Sequence, residues 1–369
     1  MTSEPDLARR KDYARLSIRF ALVHLSISPL ILILLLFLEG HGALARVSYG
    51  AFVIPWKEII RALVVVWSSL LVPKLVLKFI KGYRIEHAFG LSRETFRAWA
   101  KRTTKAELIS FIFFLTVFGT VAALRLYDPE GWWISSSVLA ILFFIILGKL
   151  VPKLILPLFY KTEPLEQETL IQWLKETCRN THIRPLPLFS IKLGKETRKA
   201  NAAVMGWGKA RRMLISDTLL EGFELDEIKT VMAHELGHHK HRDFLVQLLF
   251  ASCGTAMLLY MTHRLLTLFL SGGGPPTPAR EILLLLLLVD ILSVLTSPLM
   301  NAISRALERR ADRFALAFTQ MPQAMRTAFE KLARLNMADP SPARWHVWLF
   351  YDHPPIHERI QAAVEREHA

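Results

Sequence analysis

Four stretches of this chain, Phe20 to Leu38, Leu108 to Leu124, Trp132 to Gly148 and Phe244 to His263, contain no Asp, Glu, Lys or Arg, and a fifth, Ile282 to Ile303, contains only Asp290. Each is near the length that crosses a bilayer as a helix. Ile59 to Leu77 is a weaker sixth, because Arg61 and Lys74 interrupt it near its ends, where long basic side chains can reach the headgroups. Two soluble domains would not carry such runs. The expected fold is mainly α, a polytopic helical membrane protein of about six spans with room for a seventh.

Basic residues orient the spans. Arg9, Arg10, Lys11, Arg15 and Arg19 precede the first, and Lys78, Lys81, Arg84, Arg93, Arg97, Lys101, Arg102 and Lys105 fill the connection after the second. The opposite connections carry few: Arg46 and Lys57 in one, Arg125 in the next, and Arg280 after the Gly- and Pro-rich turn that follows Ser271. The positive-inside rule therefore places the N-terminus in the cytoplasm, and four spans return the chain there. Trp132 and Trp133 fit the outer interface as aromatic anchors. The same asymmetry accounts for the net charge of +14, as a basic face toward anionic lipid, and no nucleic-acid-binding motif accompanies it. With only Cys178 and Cys253 present, neither a disulfide framework nor a cysteine metal site can be built. The first span is longer than a signal-peptide core, lacks a small-residue cleavage site and is expected to be retained. L-V-P-K-L occurs at 71–75 and again at 150–154, as a proline ending a helix and a lysine reaching the headgroups would produce.

Between Tyr160 and Arg242 the composition turns polar. Pro185 to Gly194, Asn201 to Met205 and Arg211 to Ser216 read as strands, the last two around a Gly206-Trp207-Gly208 turn, and their sheet offers an edge to an extended substrate. Leu225 to Ala233 then places acids at a helix start and apolar residues at Ile228, Val231 and Met232, so the following His234-Glu235-Leu236-Gly237-His238 lies on a helix. Residues four apart share a helix face, so His234 and His238 can offer two imidazole nitrogens to one metal ion. Glu235 beside that ion is a base for water that zinc acidifies to a pKa of about 7. This is the chemistry of peptide hydrolysis. The competing reading is a surface helix with two solvated histidines.

His239 and His241 extend the cluster, but seven residues of helix carry His241 about 10 Å from His234, too far for the same ion. Catalytic zinc usually takes three protein ligands and leaves one position for water, so a third ligand is needed. Glu308 is the best candidate, on the helical continuation of the last span, where Ala311 and Ala315 leave room for close packing. On spacing alone, an ion pair of Glu308 with Arg305 fits equally well. Asp312, one turn on, could hold a ligand histidine by its second nitrogen.

H-E-L-G-H followed by two spans, S-R-x-x-E-x-x-A-D at 304–312, and Asp352-His353-Pro354-Pro355 near the end together resemble the type I CAAX prenyl endopeptidases, integral-membrane zinc proteases. The likeness extends through Gly90-Leu91-Ser92, Leu156-Pro157-Leu158-Phe159, Asn201-Ala202 and Asp217-Thr218-Leu219-Leu220, and so covers most of the chain. It implies one zinc ion on His234, His238 and Glu308, with Glu235 as the base. It also implies roles for His353 in catalysis and for Asn201 and Arg359 in holding substrate, and a hydrated chamber that Asp290 would line. Without the resemblance, His353 reads as a cap for the helix that Pro354 begins and Arg359 as a solvated charge. Lys199-Ala200-Asn201-Ala202-Ala203 stands where the family often has His-Ser-Asn-Ala-Tyr, which removes a histidine and an aromatic contact near the substrate.

The expected organisation is four spans in 1–159, a cytoplasmic zincin-type (gluzincin) α+β protease part in 160–243, two spans in 244–303, and a helical part in 304–369 that carries Glu308 and the H-P-P element. The expected function is zinc-dependent endoproteolysis of flexible or membrane-associated peptides, prenylated ones included, at the cytoplasmic face of a bacterial cell membrane. Its partners are the peptide substrate and the lipid bilayer. An HtpX-like quality-control protease would share H-E-x-x-H and the downstream glutamate. A non-catalytic helical scaffold or transporter is the remaining alternative, and the intact Glu235 argues against it, since structural zinc needs no base.

Single cysteines in a Cys178→Ser, Cys253→Ser background test the orientation in intact cells. Positions 229 and 324 should resist impermeant thiol reagents, while 130 and 272–274 should react. The reverse pattern would put the active site outside.

Overall fold

The computed structural model describes residues 4–40, 55–206, 208, 211–271 and 277–368; Arg46, Trp207 and the turn at Gly272 to Gly274 lie outside them. Four long apolar helices come first: α1 (Glu4–Gly40), α2 (Trp56–Phe79), α3 (Phe96–Tyr127) and α4 (Trp132–Leu150). α2 and α4 run on through π-helical turns at Ile80–Ile85 and Val151–Ile155. The repeated prolines do not end these helices, because Pro73 lies inside α2 and Pro152 within the second π turn. A helix in hydrocarbon absorbs a proline, since no water is there to satisfy the groups that a break would expose. Lys74 also departs from expectation. It does not snorkel but shares the carboxylate of Glu107 on α3 with Lys78, its Nζ 2.8 Å from Oε2, and so ties α2 to α3.

The polar part follows as β1 (Thr162–Pro164), α5 (Glu168–Asn180), β2 (Leu188–Ile191), β3 (Ala202–Met205), β4 (Arg212–Ser216), α6 (Asp217–Gly222) and α7 (Leu225–Lys240). The sheet order is β1-β2-β4-β3, with β2 and β4 parallel and β3 an antiparallel edge. β1, three residues ending in proline, has too little pattern to be read from sequence. Leu188, Met213 and Ile215 of the sheet close a core with Leu170, Leu174 and Cys178 of α5 and Ile228, Met232 and Leu236 of α7. α7 opens on a capping box in which Glu224 and Glu227 each accept from the other's backbone. It ends at His241, and Arg242, in the left-handed region at φ 56°, turns the chain into the next span.

That span is α8 (Asp243–Leu270), and α9 (Pro278–Thr319) returns. Together with α1 to α4 these make six helices long and apolar enough to cross a membrane among the described residues. Trp132, expected at the outer interface, is instead fully buried and edge-on to His263 of α8, because α4 and α8 pack together there. Trp133 packs on Tyr260. Asp290 is half-buried and meets Ser28 and His24 of α1.

α9 has 42 residues and, at roughly 1.5 Å per residue, is about 63 Å long, twice the thickness of the hydrocarbon. One half packs Ile282, Leu283, Leu285 and Leu286 into the membrane core with Leu32, Ile59, Leu63 and Ala122. The other half projects past the membrane, where α10 (Pro322–Leu335), α11 (Arg344–Phe350) and α12 (Ile356–Glu367) gather around it. There Ala315 and Leu316 share a core with Ala233 of α7 and with Met325, Phe329 and Ala363. The polar part and the C-terminal helices are thus packed on one another through α7, α9, α10 and α12.

α7 crosses α9 at Gly237. A Cβ at that position would lie 3.1 Å from Ala311 Cα and from Phe314 Cδ1, so nothing larger than glycine fits without moving a backbone. Gly237→Leu should lower the stability of the detergent-solubilised protein by about 1–3 kcal/mol or more in thermal unfolding, as overpacking does. The control is Gly222→Leu, where an added Cβ meets nothing within 4 Å. Equal stability of the two variants would contradict the crossing.

Candidate metal centre

The crossing brings α7 and α9 together at three side chains. His234 Nε2 and His238 Nε2 lie 3.2 Å apart, and Glu308 reaches both, with Oε2 3.3 Å from the first and Oε1 3.2 Å from the second. One ligand atom from each residue falls within 4.8 Å of the others. Glu308 is not spent on an intrahelical ion pair, because Arg305 donates to the Val347 and Tyr351 carbonyls instead. Its Oε2 is buried without a hydrogen-bond partner. Two imidazole nitrogens and a carboxylate oxygen converging on one point, with that oxygen unsatisfied, are a donor set that fits a divalent metal of the zinc type.

Each histidine is held from behind by a carboxylate. His234 Nδ1 is 2.8 Å from Asp312 Oδ1, and Arg359 clamps Asp312 through Nε (2.8 Å) and Nη2 (2.6 Å). Arg359 is not a solvated charge. Its side chain is only 11% exposed, with its guanidinium over the Phe329 ring at 4.2 Å. His238 Nδ1 is 2.8 Å from Asp243 Oδ2, and Arg310 donates to the other oxygen of Asp243. These contacts fix both rings with Nε2 toward Glu308. Nothing in the H-E-x-x-H pattern points to Asp243 or Arg310; the available signal is an acid opening a span, which must find a partner.

The carboxylates also set the field. Burial works against charge on His238, but Asp243 and Glu308 outweigh it and push its pKa up to about 10. His234 is likewise raised, burial being overcome by Asp312 and Glu308. A pocket that favours a proton on its imidazoles favours a metal cation in its place.

Glu235 stands outside the converging set. Its Oε2 accepts from the Val204 backbone amide of β3 at 3.2 Å. Asn201 O accepts from Ser216 N, so by alternation the backbone N–H and C=O groups of Ala202 and Val204 point away from β4, toward the open edge and the site. Asn201 is exposed immediately before that edge, with its own N–H donated to Ser216 Oγ. His353 Nε2 lies 3.3 Å from Glu308 Oε1, and its Nδ1 is 2.8 Å from Asp352 Oδ1. The Asp352 hydrogen bond outweighs burial and holds the His353 pKa above the ordinary imidazole range. His353 does not cap α12, whose N-cap is Pro355. Asn201, Glu235, His353 and Arg359 all line one cavity of about 830 Å³ that contains the metal ligands. His239 lies against Arg211, and burial and that guanidinium push its pKa down to about 4. His241 sits edge-on to Phe314. Neither belongs to the converging set.

Comparison with known proteins agrees with this architecture. The profile of peptidase family M48 matches residues 164–367, and that described as the CAAX prenyl protease N-terminal, five membrane helices, matches residues 1–161. Among the described residues that segment holds four long apolar helices. The uncharacterized metalloprotease YhfN of Bacillus subtilis is 29% identical over 297 residues, 78% of this chain and 69% of that protein. The CAAX prenyl protease 1 homolog of Arabidopsis thaliana is 28% identical over 327 residues, 84% and 74% of the two chains. The Protease HtpX homolog of Syntrophobacter fumaroxidans is 36% identical, but over 157 residues, 37% of this chain and 55% of that one. The crystal structure of S. mikatae Ste24p shares the fold, with a TM-score of 0.77 at 21% identity over 98% of this chain and 89% of that chain. A profile covering more than half of the sequence, over a membrane half and a protease half joined in this order, shows that the chain belongs to peptidase family M48 and is an integral-membrane metalloendopeptidase.

Proposed function

We propose that the metal is zinc, one ion per chain on His234, His238 and Glu308, and that it serves cleavage of peptides near the cytoplasmic face of a bacterial cell membrane. The convergence of those three donors, with Glu235 alongside but outside them, carries this reading. Zinc, when bound, supplies an acidified water and polarises the scissile carbonyl. Glu235 takes the proton of the attacking water and passes it to the leaving amine, its carboxylate steadied by the Val204 amide. His353, oriented by Asp352, is the donor for the developing oxyanion. Arg359 is committed to Asp312 and through it positions His234, which assigns it to the site's framework more than to substrate. Substrate lies extended along β3, with Asn201 and Ala202 at its edge.

The cytoplasmic orientation rests on the basic connections at the ends of α1 and α2. For substrate, the long match to CAAX prenyl protease homologs includes the membrane half, whereas the HtpX likeness covers a smaller part of the chain. This favours substrates with an apolar anchor, which concentrates the peptide at the membrane. The altered segment Lys199 to Ala203 leaves prenyl preference as a separate question.

Elemental analysis of purified protein should find one zinc per chain. Glu235→Gln should retain it and lose at least about 100-fold in peptide hydrolysis, and His238→Ala should lose both. His238→Ala with zinc and activity intact would refute the assignment.

Substrate preference is tested with matched unstructured peptides carrying a farnesyl group, a plain alkyl chain or no lipid. In liposomes, kcat/KM should be higher for both lipidated peptides than for the bare one. Equal rates for all three would sink the anchor argument, while equal rates for the two lipids would remove only the prenyl preference.

A further inference from the structure

Among the described residues, every exposed large apolar side chain belongs to one of the six membrane spans, counting the continuation of α4 to Phe159, with two exceptions, Trp345 and Trp348. Both lie on α11, three residues apart and so on one face, 48% and 58% exposed. The depth of α11 is fixed by its backbone. Asn301 Nδ2 donates to the Leu349 carbonyl at 2.7 Å, and Arg305 Nη1 donates to the Val347 and Tyr351 carbonyls at 3.1 and 2.5 Å. Asn301 and Arg305 flank Ile303, where the apolar run of α9 ends. α11 therefore sits where hydrocarbon gives way to headgroups. The exposed Leu295 and Leu299 of α9 lie just to the membrane side of it.

We propose that the Trp345–Trp348 face of α11 docks into the bilayer interface and fixes the height of the metal centre above the hydrocarbon. Indole suits that layer, with an apolar body for the acyl chains and an N–H for water and headgroup oxygens. His346, between the two, turns inward and is buried against Phe350 and Tyr351, so the helix is amphipathic in the required sense. Its C-terminal end leads through Asp352 directly to His353. Glu308 is three residues beyond Arg305, about 5 Å along α9, which places the metal ligands within about 10 Å of this level. A phospholipid surface is the partner, and the docked helix holds His353 over Glu308 from the membrane side.

The test uses full-length protein in phosphatidylethanolamine–phosphatidylglycerol nanodiscs, with nitroxide labels on single cysteines at 344, 345 and 348 in the Cys178→Ser, Cys253→Ser background. Each variant keeps at least one of the two tryptophans. Oxygen should relax the label more than a water-soluble nickel chelate at 345 and 348, with the order reversed at 344. Unlabelled protein provides a second readout. Brominated phospholipids should quench its tryptophan fluorescence, and Trp345→Phe with Trp348→Phe should reduce the quenched fraction. Greater nickel accessibility at 345 and 348 would place this face in water, and protection from both relaxants would mean that protein covers it. Either result overturns the proposal, as does quenching unchanged by the double substitution.

Discussion

The backbone contact between α7 and α9 at Gly237 is the constraint on which the site depends. It allows a helix of the soluble part and a helix of the membrane part to approach closely enough for His234, His238 and Glu308 to share one point. Because α9 crosses the membrane and then continues into the protease core, the metal centre has no existence apart from the spans. That accounts for a soluble part too small to form a site by itself: the third ligand arrives only after two further spans.

Around this contact the charges are arranged in pairs, not as isolated ions. Asp312 with Arg359 stands behind His234, and Asp243 with Arg310 stands behind His238. Both aspartates are buried, so loss of either guanidinium leaves a carboxylate short of compensation, and these four residues bear on stability as well as on ring orientation. The two arms come from different parts of the chain, one from the start of α8 and one from α12, so the site also locks the membrane re-entry and the C-terminal helix in place.

Much of this was legible in the sequence because it follows from local periodicity. Charge-free runs of span length, the helical spacing before His234 and the paired small residues Ala311 and Ala315 each report on one element at a time. What escaped depends on elements meeting. Asp243 is an unremarked acid until α8 folds back beside His238, and Arg359 looks solvated until α12 packs on α10. Trp132 has the composition of an interfacial anchor, but α4 and α8 bury it, and Lys74 finds Glu107 before it finds headgroups. In each case a tertiary partner overrode a preference that was sound for the isolated helix. Glu308 is the intermediate case, since spacing alone left a ligand and an ion pair equally open and only the crossing separates them.

X-ray absorption at the zinc edge addresses the central claim most directly, because it reports the ligand atoms themselves. The wild-type spectrum should show two imidazole nitrogens at about 2.0–2.1 Å with oxygen completing the shell and no sulfur. Glu308→Ala should lose zinc or visibly change that shell. A sulfur scatterer at about 2.3 Å, or a Glu308→Ala spectrum identical to that of the wild type, would contradict a centre built by α7 crossing α9.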